Sequence, residues 1–203
     1  MSLAHALPLL LLLADPEGWE LSTKDEGISI YSREKKGSSV REMKAVGIID
    51  GAPKDVWDAI RDYPHYVQTM PYTDEAKVLS TEGDGKVIYF YSLINPPLVD
   101  RRDYVIKISD DSDWKDGAGF LKVSWTISNN PDQPERKDVV RVKINDGYWI
   151  LEPRENGTKT YATYYLYTDP GGSVPKWIVN KGNNTAVPNV FRSIRKVLAG
   201  KKK

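Results

Sequence analysis

Between residues 75 and 168 the sequence alternates apolar and polar side chains in short segments that are separated by turn signals. Residues 121–127 (LKVSWTI) show the pattern clearly, with apolar side chains at every second position. This period predicts strands with one buried face, because successive side chains of a strand point to opposite faces. Glycine-rich turn signals occur at residues 82–85 and 155–157. Successive strands joined by short turns indicate an antiparallel meander.

Helical spacing occurs on both sides of this run of strands. Strands are expected at residues 28–32 and 40–50, and from Pro53 apolar residues recur three or four apart, which predicts a short helical insert. A long terminal helix is predicted over residues 175–198, with a kink or a restart at Pro188. Its apolar face consists of Val187, Val190, Phe191, Ile194 and Leu198. This order predicts an α+β fold in which a curved antiparallel sheet wraps around a long C-terminal helix, with the insert after the second strand. A gap between sheet and helix would form a ligand cavity.

Composition excludes several classes of function. The net charge is +1, which provides no field for nucleic acid, so no nucleic-acid partner is expected. The chain has no cysteine, and neither His5 nor His65 has metal-ligand or catalytic-triad spacing. We therefore expect no metal, no cofactor and no catalytic residue. The chain has twelve tyrosines and six tryptophans but only three phenylalanines. This bias is compatible with a partly hydrated cavity wall and also with an ordinary β-rich core.

The N-terminal residues 1–17 are interpreted as a separate apolar segment. Residues 7–13 form an apolar run that is too short to span a bilayer and resembles the hydrophobic part of a secretory signal. The basic residues that usually precede such a run are missing. Two alternatives stay open: a signal remnant, which implies a periplasmic or secreted protein, or a short native helix, which implies a cytoplasmic one. Residues 18–200 are expected to form the domain, and residues 201–203 a solvated basic tail.

Three stretches resemble the START lipid-transfer family. Residues 169–180 (DPGGSVPKWIVN), followed by 186–189 (AVPN), are similar to its C-terminal signature. Residues 95–105 (NPPLVDRRDYV) resemble its proline-rich stretch before an Arg-Asp-aromatic-Val strand, and residues 56–71 resemble its helical insert. The resemblance spans residues 18–198 and implies a helix-grip fold. It also implies a lipid, or another hydrophobic small molecule, bound in a cavity that the C-terminal helix closes.

The resemblance also suggests which residues contact the ligand. Arg102 matches the arginine that lies near the lipid phosphate in phosphatidylcholine-binding relatives, and the alternative is an ion pair with Asp100 or Asp103 at the strand entry. Tyr89 and Ile108 stand where sterol-carrying relatives have a Glu and an Arg, which makes a copy of the sterol site doubtful. The candidate ligand-binding residues are Arg102, Tyr89, Tyr91, Trp125, Tyr165, Trp177, Val187 and Phe191.

Three functions remain open at this point. The first is lipid binding for transfer or sensing, with transient membrane contact. The second is an enzyme of the same superfamily, such as a polyketide cyclase or aromatase, which acts mainly through the shape of its cavity. The third is an interaction module with a filled core and no cavity.

Overall fold

The computed structural model describes residues 17–129 and 133–201, and for residues 176–184 it describes the helical backbone without the side chains. The predicted N-terminal segment, apart from its last residue, lies outside the described residues, and so do positions 202 and 203 of the basic tail. No helix in the described part of the chain combines the length and the hydropathy needed to cross a bilayer.

Strands dominate the described chain. In order, the elements are β1 (Glu20–Asp25), β2 (Ile28–Arg33), β3 (Glu42–Ile49), α1 (Pro53–Ile60), a 3₁₀ turn (Tyr63–His65), α2 (Tyr66–Thr69), β4 (Thr73–Glu82), β5 (Val87–Ile94), β6 (Arg102–Asp110), β7 (Asp113–Lys115), β8 (Ala118–Ile127), β9 (Val140–Arg141), β10 (Ile144–Arg154), β11 (Lys159–Asp169) and α3 (Lys176–Lys201). This arrangement confirms the predicted α+β helix-grip architecture.

The sheet has the strand order β1-β2-β3-β11-β10-β8-β6-β5-β4, and these neighbours are all antiparallel. The short strand β9 pairs in parallel with the start of β6, and β7 pairs with β8. Pairing of β3 with β11 connects the first strands to the end of the meander.

Two details differ from the sequence-based prediction. The helical insert follows the third strand, because β1 precedes the two expected strands. Side chains of β1 are largely exposed, so the strand carries no apolar alternation that could reveal it. In addition, the alternation predicts two separate strands, at residues 140–145 and 148–152, whereas residues 144–154 form one continuous strand in which Gly147 pairs within the sheet.

Helix α3 covers the inner face of the sheet. Val187, Phe191, Ile194 and Leu198 are all buried, which confirms the predicted apolar face. The ring of Phe191 lies 5.1 Å from that of Trp149 on β10. The helix continues through Pro188 as one element, so the expected restart is not observed.

The opposite face of α3 is attached to the first strands through two arginines. The guanidinium of Arg192 pairs with Asp25 and with Glu26, the latter at 3.1 Å. Arg195 donates hydrogen bonds to the backbone carbonyls of Glu26 and Ile48 at 3.0 and 2.9 Å. These contacts fix the second half of α3 against the β1–β2 turn and the end of β3.

Two glycines form the turn before α3. Gly171 and Gly172 have φ of +66° and +67°, a region that glycine adopts without steric penalty. The backbone N–H of Gly171 donates to the carboxylate of Asp169 at 2.9 Å, which stabilises the turn. Pro175 immediately precedes the helix. The chain thus leaves the edge of β11 and turns back over the sheet.

Candidate ligand-binding cavity

A cavity of about 470 Å³ lies between the inner face of the sheet and the helices. Strands β5, β6, β8, β10 and β11 form one wall, α1, α2 and the start of β4 form another, and residues 185, 186 and 190 of α3 form a third. The loop at residues 96–99 and the turn at residues 170–174 contribute the rest. Its volume falls within the range of about 300–1,000 Å³ that is usual for small-molecule sites.

Aromatic rings form the floor of the cavity. Trp125 lies directly over Gly147, where a Cβ atom would be only 2.1 Å from Cζ2 of the indole. The indole Nε1–H donates to Oδ1 of Asn145 at 3.2 Å, which fixes the ring against the sheet. Next to it, Tyr164 packs on Trp125 and Trp149 with centroid distances of 5.9 and 4.5 Å. The glycine therefore makes room for a flat aromatic surface.

Arg102 is the one charged side chain among the described residues that line the cavity, and only 3% of its surface is exposed. Its Nε–H donates to the carbonyl oxygen of Pro170 at 3.0 Å, and Nη1 donates to the carbonyl of Asp100. Burial lowers the pKa of the guanidinium, and the nearby charge of Asp100 opposes this effect. Within the described chain, no carboxylate oxygen lies within 4 Å of the group.

The alternative ion pair between Arg102 and Asp103 is not formed, because Asp103 points to the other face of β6. There the carboxylate accepts two hydrogen bonds from Arg141, at 2.7 and 3.1 Å, and one from the hydroxyl of Tyr91 at 3.2 Å. Asp103 is fully buried and its charge is matched by Arg141. Arg102 therefore faces the cavity with its charge uncompensated by a direct carboxylate partner.

Three tyrosines add neutral polar groups to the wall. Tyr66 of α2, Tyr104 of β6 and Tyr164 of β11 all line the cavity, and Tyr66 donates to the backbone carbonyl of Ile60 at 2.5 Å. Burial raises the pKa of all three phenols, and Tyr104 further raises those of Tyr66 and Tyr164. The three phenols are therefore neutral hydrogen-bond donors at physiological pH. Sequence reasoning identified none of them.

Five of the eight sequence-predicted site residues have described side chains that do not line the cavity. Tyr89, Tyr91 and Tyr165 lie on the outer face of the sheet, where Tyr165 donates to Glu42 at 2.6 Å. Val187 and Phe191 are buried between α3 and the sheet and belong to the packed core. Arg102 and Trp125 are the two that the structure brings to the cavity wall. The side chain of Trp177 lies outside the described residues.

The cavity has the chemistry of a binding site for a largely apolar molecule. Its described wall contains no histidine and no carboxylate. Within residues 17–129 and 133–201, no cluster of three or more histidine or acidic side chains could hold a metal ion. The wall can thus bury hydrocarbon, and it offers one cation and a few neutral hydroxyl and amide groups.

Comparison with known proteins finds lipid-transfer proteins among the relatives. A phosphatidylcholine transfer protein from Mus musculus is 26% identical over 181 residues, which cover 88% of this chain and 82% of the relative. The crystal structure of a STAR-related lipid transfer protein fragment from Xanthomonas axonopodis is 29% identical. It covers 90% of this chain and 99% of the fragment, with a TM-score of 0.77.

Human StAR-related lipid transfer protein 5 shares the fold, with a TM-score of 0.83 at 19% identity, over 93% of this chain and 90% of the other. A Streptomyces aromatase/cyclase shares it more distantly, with a TM-score of 0.52 at 12% identity, over 79% and 92% of the two chains. The family described as START domain matches residues 4–203. The chain therefore belongs to the START domain family.

Proposed function

We propose that this protein binds a phospholipid or a related lipid in the cavity and carries or senses it. The observation that carries the proposal is a cavity of about 470 Å³ with an apolar wall and a single buried cation, Arg102, among its described lining residues. Family membership and the lipid-transfer relatives support the same function. Each methylene removed from water contributes about 0.8 kcal/mol, so the hydrocarbon provides most of the affinity and the polar groups select the head group.

Arg102 is proposed to contact the anionic part of the head group. Its Nη2 atom lies 3.9 Å from the position that a Cβ of Gly172 would occupy, so the guanidinium lies next to the turn before α3. A planar guanidinium can donate two parallel hydrogen bonds to a phosphate, and an anion would supply the charge that no neighbouring carboxylate provides.

Ligand exchange is proposed to require movement of residues 170–175 together with the start of α3. Pro170 and Val174 line the cavity, and the turn is attached to the sheet side through the hydrogen bond from Arg102. Gly171 and Gly172 provide the backbone freedom that such a movement needs. Closure of this kind would exclude water from the bound hydrocarbon.

The cavity entrance is proposed to touch a membrane transiently. Leu98 lines the cavity while 83% of its surface is exposed, so its loop marks the side of the cavity that opens to solvent, called the entrance here. Leu98 has φ of +70°, and the loop also contains Pro96 and Pro97. An exposed leucine held out by a strained backbone is costly in water and favourable in a bilayer interface.

The two alternative functions are less well supported. For a cyclase that acts through the shape of its cavity, the support is a likeness of fold to one aromatase/cyclase, whereas the lipid-transfer relatives are also similar in sequence. An interaction module with a filled core would not contain a space of about 470 Å³.

Native mass spectrometry of the purified protein, followed by organic extraction, tests the proposal. We expect an adduct with the mass of a phospholipid, and we expect the protein to move labelled phosphatidylcholine between vesicles. Absence of both a lipid adduct and transfer would refute the proposed function.

A further inference from the structure

The turn before α3 packs against a short strand, β9, that lies outside the main strand order of the sheet. Val140 of β9 lies against both glycines of the turn, because Cβ atoms at Gly171 and Gly172 would be 3.2 and 3.6 Å from its methyl carbons. Arg102 approaches the same turn from β6 and donates to the carbonyl of Pro170 at 3.0 Å. The turn is therefore supported by two neighbouring strands, β6 and β9.

Strand β9 has only two residues and runs parallel to the start of β6. The backbone N–H of Val140 donates to the carbonyl oxygen of Arg101 at 3.0 Å. That of Val142 donates to the carbonyl oxygen of Asp103 at 2.9 Å. Two hydrogen bonds are few for fixing a segment of chain, because every residue that becomes ordered loses conformational entropy. Further contacts are needed to hold β9 in place.

An ion pair on the outer face of the sheet supplies such contacts. The side chain of Arg141 donates two hydrogen bonds to the buried carboxylate of Asp103, at 2.7 and 3.1 Å. Its guanidinium also donates to the carbonyl oxygens of Gln133 and Pro134, at 3.3 and 3.1 Å. Arg141 thus fixes both β9 and the loop that leads into it.

This ion pair belongs to a network that reaches solvent. Asp103 also accepts a hydrogen bond from the hydroxyl of Tyr91 at 3.2 Å, and that hydroxyl accepts one from Arg136 at 3.3 Å. Arg136 in turn pairs with Glu75 of β4 at 2.6 Å, and its side chain is 40% exposed. None of these four side chains lines the cavity. The position of β9 therefore depends on charged groups on the opposite side of the sheet from the cavity.

We propose that β9 holds the turn before α3 in its closed position, and that the ion pair between Arg141 and Asp103 keeps β9 in place. This inference rests on the proposed function and adds to it a control of ligand exchange that acts from outside the cavity. If the ion pair is broken, Val140 moves away from the two glycines and the turn loses one of its two supports. Ligand release then becomes faster, because opening of the turn costs less.

The absence of cysteine from the chain allows opening of the turn to be measured directly. Val174 is half-buried and lines the cavity, so a thiol introduced by Val174→Cys reacts faster with the reagent DTNB when the turn opens. In the lipid-free protein, adding Val140→Ala or Arg141→Lys is expected to speed this reaction about three- to tenfold. Lysine keeps a positive charge beside Asp103, whereas Arg141→Ala would leave a buried carboxylate without a counter-charge, which is strongly destabilising.

Val46→Ala is the matched control, because it makes the same change on β3, which pairs with β2 and β11. It should leave the thiol reaction within twofold of the parent rate. Equal rates in all variants, or an equal acceleration that includes the control, would overturn the proposal. An effect of only one of Val140→Ala and Arg141→Lys would also overturn it, since both the contact and the ion pair are required. Rates are compared below the lowest melting temperature of the set.

Release of a fluorescent phosphatidylcholine, measured on variants without the introduced cysteine, provides a second readout. The release rate is expected to rise about three- to tenfold in Val140→Ala and in Arg141→Lys, and to stay within twofold of the parent in Val46→Ala. If the parent binds no phosphatidylcholine, the proposed function fails, and the thiol rates still decide whether β9 holds the turn. A faster thiol reaction with unchanged lipid release would refute the control of ligand exchange.

Discussion

Replacing Arg102 with alanine tests the proposed head-group contact most directly. The side chain is 3% exposed, lines the cavity and has no carboxylate within 4 Å among the described residues, so an anionic ligand group is its natural counter-charge. A hydrogen bond to a charged group contributes about 1.5–3 kcal/mol. Arg102→Ala should therefore weaken phosphatidylcholine binding by roughly ten- to a hundredfold, and binding of an uncharged sterol should change much less.

The same substitution also removes two hydrogen bonds to backbone carbonyls, those of Pro170 and Asp100. A moderate loss of stability is expected, and for a domain of this size each kcal/mol lowers Tm by about 2–4 °C. Ligand binding is therefore compared below the melting temperature of the variant. Arg102→Lys provides a second arm, because lysine keeps the charge but loses the planar fork and should bind phosphatidylcholine with intermediate affinity.

Titration with a fluorescent phosphatidylcholine and a fluorescent sterol measures both effects. Arg101→Ala is the matched control, since Arg101 is the adjacent residue and its side chain is exposed to solvent. If Arg102→Ala melts cooperatively and binds both probes like the parent, the head-group assignment is wrong. Arg102 would then serve only to hold the backbone at the strand entry.

Three further predictions concern the floor, the outer face and the entrance. Gly147→Ala should destabilise the fold by about 1–3 kcal/mol in urea unfolding and reduce ligand capacity, because its Cβ would meet Trp125 at 2.1 Å and push the indole into the cavity. Unchanged binding and stability would show that the indole is not held flat. Burial raises the pKa of Glu42, but hydrogen bonds from Arg33 and Tyr165 outweigh it and leave the pKa below its usual value. Ionised Glu42 thus stabilises the fold above about pH 4.3, and this stability is lost as the pH falls through the lower folded pKa. Glu42→Gln should flatten the fall in urea midpoint between pH 6 and pH 3, and a parallel pH profile would contradict this. Leu98→Asp should reduce vesicle co-sedimentation about tenfold while the cavity still binds a soluble short-chain lipid. An equal loss for Leu21→Asp, at an exposed position on β1, would show that a negative charge anywhere on the surface weakens vesicle binding, which would contradict a contact through Leu98.

The terminal helix and the turns were predictable because their physical signals are local. The apolar face of α3 repeats at helical spacing, and its residues Phe191 and Ile194 are fully buried. The turn before it needed positive φ, and its two glycines have it. Strand β1 gave no such signal, since little of its surface is buried in the sheet.

The cavity-facing tyrosines could not be assigned because alternation defines two faces of a strand without saying which one is inner. Strand β11 (KTYATYYLYTD) carries tyrosines in both phases, so Tyr165 and Tyr164 are equivalent in sequence but face opposite sides. The outer tyrosines are covered by polar partners from distant segments, as in the bond from Tyr165 to Glu42. Ala162 could have indicated the inner face of β11. It is a small residue that is fully buried, and it lies two positions from Tyr164, on the same face of the strand.

The hydrogen bond from Arg102 to the carbonyl of Pro170 makes loading and opening linked equilibria under the proposed function. If the guanidinium turns toward a phosphate, it no longer donates a hydrogen bond to the turn that leads into α3. A lipid head group and the closed turn therefore compete for the same nitrogen atoms. Linkage requires the effect to be mutual: whatever pulls the turn away, such as contact with a bilayer surface, frees Arg102 for an incoming phosphate. Exchange at a membrane would then replace one hydrogen bond of Arg102 with another. The net change in free energy would therefore be small in either direction.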